Sequence, residues 1–189
     1  MTKEINDDEI QVLVEKAQDG DKDAFAQIYD VFFDQIFRYV YFRVVPTEVD
    51  DIVENIFIKA WMNIVKYEQR DVKFSSWLFR IAHNTVIDFR RAHRSIEPLS
   101  PTIADESERS APKAMTEQVM TSKKVRDAVD KLKEPYKQVV VLKFLSGLSN
   151  SEIAEVLGQR EGNIRVLQFR ALKELKKLLA EKGFSAKNL

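Results

Sequence analysis

Along almost the whole chain the apolar residues recur every three or four positions, and the one long interruption falls at residues 95–117. A period near 3.6 belongs to amphipathic helices, whereas half-buried strands alternate with a period of two. The interruption holds Pro98, Pro101 and Pro112 among Ser, Thr, Asp and Glu, with little that a core could bury. Such a stretch reads as a linker. The pattern predicts an all-α chain of two small helical domains, residues 1–94 and 118–189, joined by a flexible linker at 95–117. Five glycines and five prolines in 189 residues are too few for the turns of a β-sandwich or barrel.

Local signals divide the two blocks further. A first helix runs over 7–18 with Asp7 as its N-cap, and Asp19-Gly20-Asp21 stops it and starts the next. The second, 22–44, is apolar over a wide face and ends before Pro46. Thr47 and Asp50 form a variant capping box for a third helix reaching about Lys66. Residues 67–74 read as a loop, and Ser75 or Ser76 caps a fourth helix over 76–93. The second block predicts helices at 117–132, 135–145 with Pro135 as first residue, 150–157 and 161–181.

Composition narrows the function. There is no cysteine, so disulfides, thiolate-held zinc and a thiol nucleophile are excluded. The acidic N-terminus lacks an apolar signal stretch, and no apolar run approaches the ~20 residues that span a bilayer. A soluble cytoplasmic protein without membrane insertion is expected. Two histidines, no phosphate-cradling glycine loop and no nucleophile motif speak against an enzyme, and no cofactor or metal is expected. The 30 basic and 30 acidic side chains balance, which at first argues against a nucleic-acid partner. By segment they do not balance. Residues 1–58 hold 5 basic and 14 acidic groups, 59–94 hold 8 and 3, 95–117 hold 2 and 5, and 118–189 hold 15 and 8. Charge in blocks points to surfaces with different partners.

The most specific local signal is Ser149-Asn-Ser-Glu-Ile-Ala-Glu-Val-Leu-Gly-Gln-Arg-Glu-Gly-Asn-Ile164. Ser149 and Glu152 make a capping box, Ala154 permits a close helix crossing, and Gly158 suits a left-handed helix end. Ile164 then opens the inner face of a second helix. This is a helix-turn-helix. The outer face of its second helix carries Asn163, Val166, Phe169, Arg170 and Lys173, flanked by Arg165, with Arg160 and Glu161 at the start. Arginine reads guanine edges, Asn reads adenine, and apolar groups meet thymine methyls. Phosphate contact also fits each polar residue, and packing on the preceding helix also fits Phe169.

In the first block, Asp50-Asp51-Ile-Val-Glu54-Asn55 opens a helix, and Phe74-Ser-Ser-Trp77 through Arg91 is basic and aromatic. Cations that follow phosphates and rings that stack on bases suit single-stranded DNA. Core packing is the favoured reading of Trp77 and Phe79, and Arg90, Arg91 and Arg94 are expected to be exposed. Asp50, Asp51 and Glu54 complement a helix dipole, and the alternative of a metal site has no histidine nearby.

The combination of Asp-Asp-Ile-Val-Glu-Asn-Ile-Phe-Ile-Lys-Ala-Trp, Trp-Leu-Phe-Arg-Ile-Ala-His-Asn and the helix-turn-helix resembles bacterial RNA polymerase sigma factors of the sigma-70 family, extracytoplasmic-function group. The resemblance covers residues 8–94, as sigma region 2, and 118–180, as region 4. It implies a transcription initiation factor that partners core RNA polymerase, its β′ clamp and β subunits, and promoter DNA, both double-stranded and melted. It also implies control by an anti-sigma factor. The polymerase would be held by Asp50, Asp51, Glu54, Asn55 and Ile58. The −10 element would be read and melted by Arg70, Lys73, Asn84, Asp88, Arg90, Arg91 and Arg94. The −35 element would be read by Arg160, Glu161, Asn163, Arg165, Val166, Phe169, Arg170 and Lys173. Many members carry Gln-Glu where this chain has Glu54-Asn55, and a basic residue where it has His83, which receives no DNA role. The charge blocks carry one further expectation: the acidic start and the basic end associate in the free chain and mask DNA binding.

Overall fold

The computed structural model describes residues 6–69, 72–94 and 123–181, so Arg70 and the linker at 95–117 lie outside the described residues. Among the described residues the structure is helical, with no strand. Helix α1, Asp7–Gln18, is capped by Asn6, not Asp7: the Asn6 side chain accepts from the Glu9 amide at 2.8 Å, and the Glu9 carboxylate accepts from the Asn6 amide at 3.1 Å. This is a reciprocal box one residue upstream of the expected cap. Gly20, at φ +93, lets the chain reverse, and Asp21 accepts from the amides of Asp23 and Ala24 to start α2, Lys22–Tyr41.

Helix α2 ends earlier than its periodicity predicts. Phe42 and Val44 remain buried, and between them Arg43 turns inward. Pro46–Glu48 then forms a short 3₁₀ turn ahead of α3, Val49–Asn63. Thr47 lies inside that turn, so it cannot cap, and α3 begins without a side-chain cap. A second 3₁₀ turn, Ile64–Lys66, closes α3. Helix α4, Phe74–Arg94, starts before both serines expected to cap it. The cause is packing: Phe74 is buried against the rings of Phe32, Tyr67 and Trp77, 5.3–5.7 Å away, and this draws the chain into the helix early. Apolar stripes from all four helices share one core, including Val14, Ile28, Ile36, Tyr39, Ile56 and Leu78, each almost fully buried.

The second block comprises α5, Lys123–Asp130, α6, Glu134–Val140, a π turn at Val141–Leu145, α7, Asn150–Leu157, and α8, Glu161–Glu181. Pro135 is the second residue of α6, because Glu134 leads it. The Ser149–Glu152 box forms as the sequence predicts, with Ser149 accepting from the Glu152 amide and Glu152 accepting from the Ser149 amide. Gly158 ends α7 at φ 63, ψ 36, and the Gln159 amide reaches back to the Ala154 carbonyl at 2.9 Å. Ile153 and Ile164 are fully buried where α7 and α8 cross.

The two blocks pack against each other. Helix α4 lies along α7, and α2 meets the π turn. In that turn the Leu145 carbonyl accepts from Arg38 Nε of α2 at 2.8 Å. Arg126 of α5 donates to the Val44 carbonyl at 2.8 Å, and its guanidinium sits 4.1 Å from the centre of the Tyr41 ring.

A methyl group at Gly158 would meet no atom within 4 Å, so Gly158→Ala costs only the left-handed backbone conformation. Urea unfolding should show a loss of about 1–2 kcal/mol, with a lower midpoint and an unchanged slope.

Candidate nucleic-acid and protein interfaces

Three surfaces hold the residues singled out by sequence. On α3, Asp50, Asp51, Glu54, Asn55 and Ile58 are all exposed on successive turns. Their helix borders an open groove of about 790 Å³ lined by Phe25, Tyr29, Phe33, Val53, Phe57 and Trp61, with Lys22, Asp50 and Glu54 among its polar residues. The rings pack edge to face or tilted: Phe25 lies 4.9 Å from Trp61, and Tyr29 lies 4.5 Å from Phe57. Burial raises the Tyr29 hydroxyl pKa, and the charges of Asp30, Glu54 and Asp50 add to it. Among the described residues no group of three His, Cys, Asp or Glu is placed to hold a metal ion.

The second surface is α4. Asn84, Asp88 and Arg91 are exposed and share one stripe, at positions i, i+4 and i+7. Lys73, just before the helix, pairs with Asp7 of α1 at 2.5 Å, and this hydrogen bond raises its pKa. Arg94 falls in the last turn of α4. The expected exposure fails at Arg90. It lies on the inward side with Phe79, His83 and Val86, and its Nη1 donates to Glu134 of α6 at 2.8 Å. The aromatic residues of this helix serve the core. Phe79 is fully buried, and half-buried Trp77 packs on Tyr67 and Phe74, so few rings remain for base stacking. His83 faces the Tyr39 hydroxyl at 3.1 Å, and burial, helped by Arg43, lowers its pKa.

The third surface is α8. Ile164 and Ala171 are fully buried against the domain, so the opposite face is presented outward. Asn163, Arg165, Val166, Phe169, Arg170 and Lys173 are all exposed, as is Arg160 before the helix. Phe169 is 73% exposed, which rules out packing on α7 as its role. Glu161 accepts from both Nη2 and Nε of Arg165, at 2.7 and 3.2 Å, and so holds that guanidinium in one orientation.

Residues 28–96 match the family model described as Sigma-70 region 2, and residues 122–175 match Sigma-70, region 4. The ECF RNA polymerase sigma factor BldN of Streptomyces coelicolor is 36% identical over 173 residues, which cover 89% of this chain and 65% of that longer protein. The ECF RNA polymerase sigma factor SigW of Bacillus subtilis is 31% identical over 184 residues, which cover 91% of this chain and 97% of SigW. The chain belongs to the ECF sigma factors. It is therefore a transcription initiation factor, which directs RNA polymerase to promoters. The fold agrees. The structure of CnrH in complex with the cytosolic domain of CnrY superposes with a TM-score of 0.65 at 28% identity, covering 90% of this chain and 96% of CnrH.

Two features of this sigma factor escaped the sequence reading. The first is the groove. The wide apolar face of α2 exceeds what one core stripe needs, and that width is the signal in the sequence for a second use. Beside it Met62 and Val65, 72% and 70% exposed, continue the stripe begun by Ile58. The second is the link between the regions. Arg43, with no exposed side-chain surface, donates Nη2 to Glu134 at 2.6 Å, so one carboxylate oxygen joins Arg43, Arg90 and, at 3.2 Å, Gln138. Farther along α4, Ser75 donates to Glu152 at 2.5 Å and Arg80 to the Glu155 carbonyl at 2.6 Å. No local pattern could have announced partners 44 to 91 residues apart.

Burial pushes the Glu134 carboxyl pKa up, but Arg43 and Arg90 outweigh it and bring it down to about 2 from an ordinary 4.5. A depressed carboxyl stabilises the folded state above its unfolded pKa and loses that contribution as pH falls through its folded one. The stability difference between wild type and Glu134→Gln should be full above pH 4.5 and shrink steadily towards pH 2. Urea midpoints across that range measure it.

Proposed function

We propose that the three surfaces divide promoter-directed initiation among themselves. The acidic α3 face and its groove bind core RNA polymerase, at the β′ clamp. Helix α4 and the loop before it read and melt the −10 element, and α8 reads the −35 element in the major groove. Residues 1–94 and 118–189 act as separate modules, and the chain works in the cytoplasm without a catalytic group of its own. The observation that carries this reading is α8. Its one face is locked into the domain by Ile164 and Ala171, and its other presents Asn163, Arg165, Phe169 and Arg170 together. That is the arrangement a recognition helix needs. An anti-sigma protein holds the free factor, in the way that CnrH is seen bound to the cytosolic domain of CnrY.

The test is reconstitution. The purified chain is mixed with core polymerase and a genomic promoter library, and transcript starts are mapped. Starts that depend on the chain are expected, and their absence sinks the reading. Asp51→Lys should weaken polymerase binding while helix content stays unchanged, because Asp51 is exposed and carries no core packing. Unchanged affinity would remove Asp51 from the interface. Arg165→Ala should weaken −35 binding by about 1–3 kcal/mol and relax specificity at the base it reads. Equal losses on all sequences would make Arg165 a phosphate contact instead.

A further inference from the structure

In the closed chain, cations assigned to the −10 element already have acceptors. Arg90 is held by the Glu134 carboxylate, and Lys73 by Asp7. Arg80, which begins the exposed stripe of Asn84, Asp88 and Arg91, donates to the Glu155 carbonyl. The contacts from region 4 run from Ser75 to Arg90, sixteen residues of α4, or about 22 Å of helix. Each pairs a donor of region 2 with an oxygen of region 4. Two of the three acceptors are carboxylates and the third is a backbone carbonyl; DNA would offer the same donors a row of anionic oxygens.

The polarity is opposite to the charge-block expectation. Carboxylates of the basic domain cover the basic helix of the acidic one.

Glu134 is the central contact because it also meets Arg43. That guanidinium is wholly buried, and its Nε and Nη1 have no hydrogen-bond partner. Buried donors without acceptors are unfavourable, and a buried cation without its carboxylate is far more so. While Glu134 stays, Arg43 is neutralised and the regions remain packed. Once it leaves, hydration of all three Arg43 nitrogens favours the open chain.

We propose that Glu134 is an intramolecular latch: by occupying Arg90 as a DNA phosphate would, and by neutralising buried Arg43, it holds region 4 on α4 and keeps the free factor from engaging the −10 strand. This rests on α4 being the −10 surface. Opening it exposes Arg90 and releases the already exposed Arg80 guanidinium from the Glu155 carbonyl, so DNA and region 4 compete for one set of donors.

The experiment uses the full chain. With no native cysteine, Lys16→Cys and Lys177→Cys accept spin labels at two exposed sites, one in each region, for distance measurement. Binding is read with a fluorescein-labelled random pool of single-stranded DNA at low salt. Glu134→Gln should lengthen the distance and tighten DNA binding by about tenfold if the open form is a minor state of the wild type. Arg90→Ala in that background should remove much of the gain. Arg126→Gln, which breaks the link to the Val44 carbonyl without stranding a buried charge, should act in the same direction. It keeps the test alive if Glu134→Gln loses helix content. A closed distance in every folded variant, or an open chain with unchanged DNA binding, overturns the latch. Arg90→Ala then locates the failure. If it still weakens binding to the open chain, α4 does bind DNA and only the masking is wrong. If it has no effect, the −10 assignment of α4 fails as well.

Discussion

A buried guanidinium needs a carboxylate, and for Arg43 that carboxylate comes from the other half of the chain. Arg43 sits just past the end of α2, where the helix stops and its side chain turns inward beside Tyr39, whose hydroxyl pKa burial raises to about 12. Glu134 at the start of α6 reaches it, and the same carboxylate oxygen meets Arg90 of α4. Three helices from two sequence blocks thus converge on one atom. The placement of α6 constrains the π turn that follows it, whose last carbonyl receives Arg38. It also sets how α7 lies along α4, where Ser75 and Arg80 find Glu152 and Glu155. The apolar contacts are non-directional and permit many ways of stacking two helical groups. The ionic contact selects one.

That division explains what the sequence revealed. The all-helical class, the Ser149–Glu152 box, the left-handed Gly158 and the bounds of α8 depend on residues within a few positions of one another, and all were legible. The misreadings occurred where distant packing overruled a local signal. Thr47 could not cap because Pro46 had already begun a turn. Ser75 and Ser76 gave way to Phe74, whose burial against Tyr67 and Phe32 was worth more than a cap. Asp7 lost the cap to Asn6, which has a better-placed partner in Glu9. Of the site residues, those on the outer faces of α3 and α8 were readable because helical periodicity alone assigns them to solvent. Arg90 was not, because its partner lies 44 residues away.

The groove shows a second limit. Periodicity identifies apolar residues, not which neighbour will cover them. Phe25, Tyr29 and Phe33 belong to the same wide face of α2 as Ile28, Phe32 and Ile36, yet the first set lines an open groove while the second is buried. The two stripes are about a third of a turn apart, and a single core cannot close over both. An apolar groove next to exposed Asp50 and Glu54 suits an amphipathic partner better than bulk water. On the proposed reading of α3 as the polymerase-binding face, that contact would have an apolar component beside the acidic one that the sequence suggested.

The closed arrangement also carries visible costs. Besides Arg43, the Ser76 hydroxyl and one carboxylate oxygen of Glu155 are buried without hydrogen-bond partners, and these residues lie on the two helices, α4 and α7, that meet between the regions. Each such orphan costs about 1–3 kcal/mol relative to a hydrated group. An interface selected only for permanence would have satisfied or replaced them, because apolar isosteres usually do better than imperfect buried ion pairs. The interface keeps them. The polar groups that make closure specific thus also weaken it. On the proposed reading, in which α4 is withheld from DNA and then surrendered, the factor needs both properties, and a neutral chain with charge segregated between its halves can supply both from its own surface.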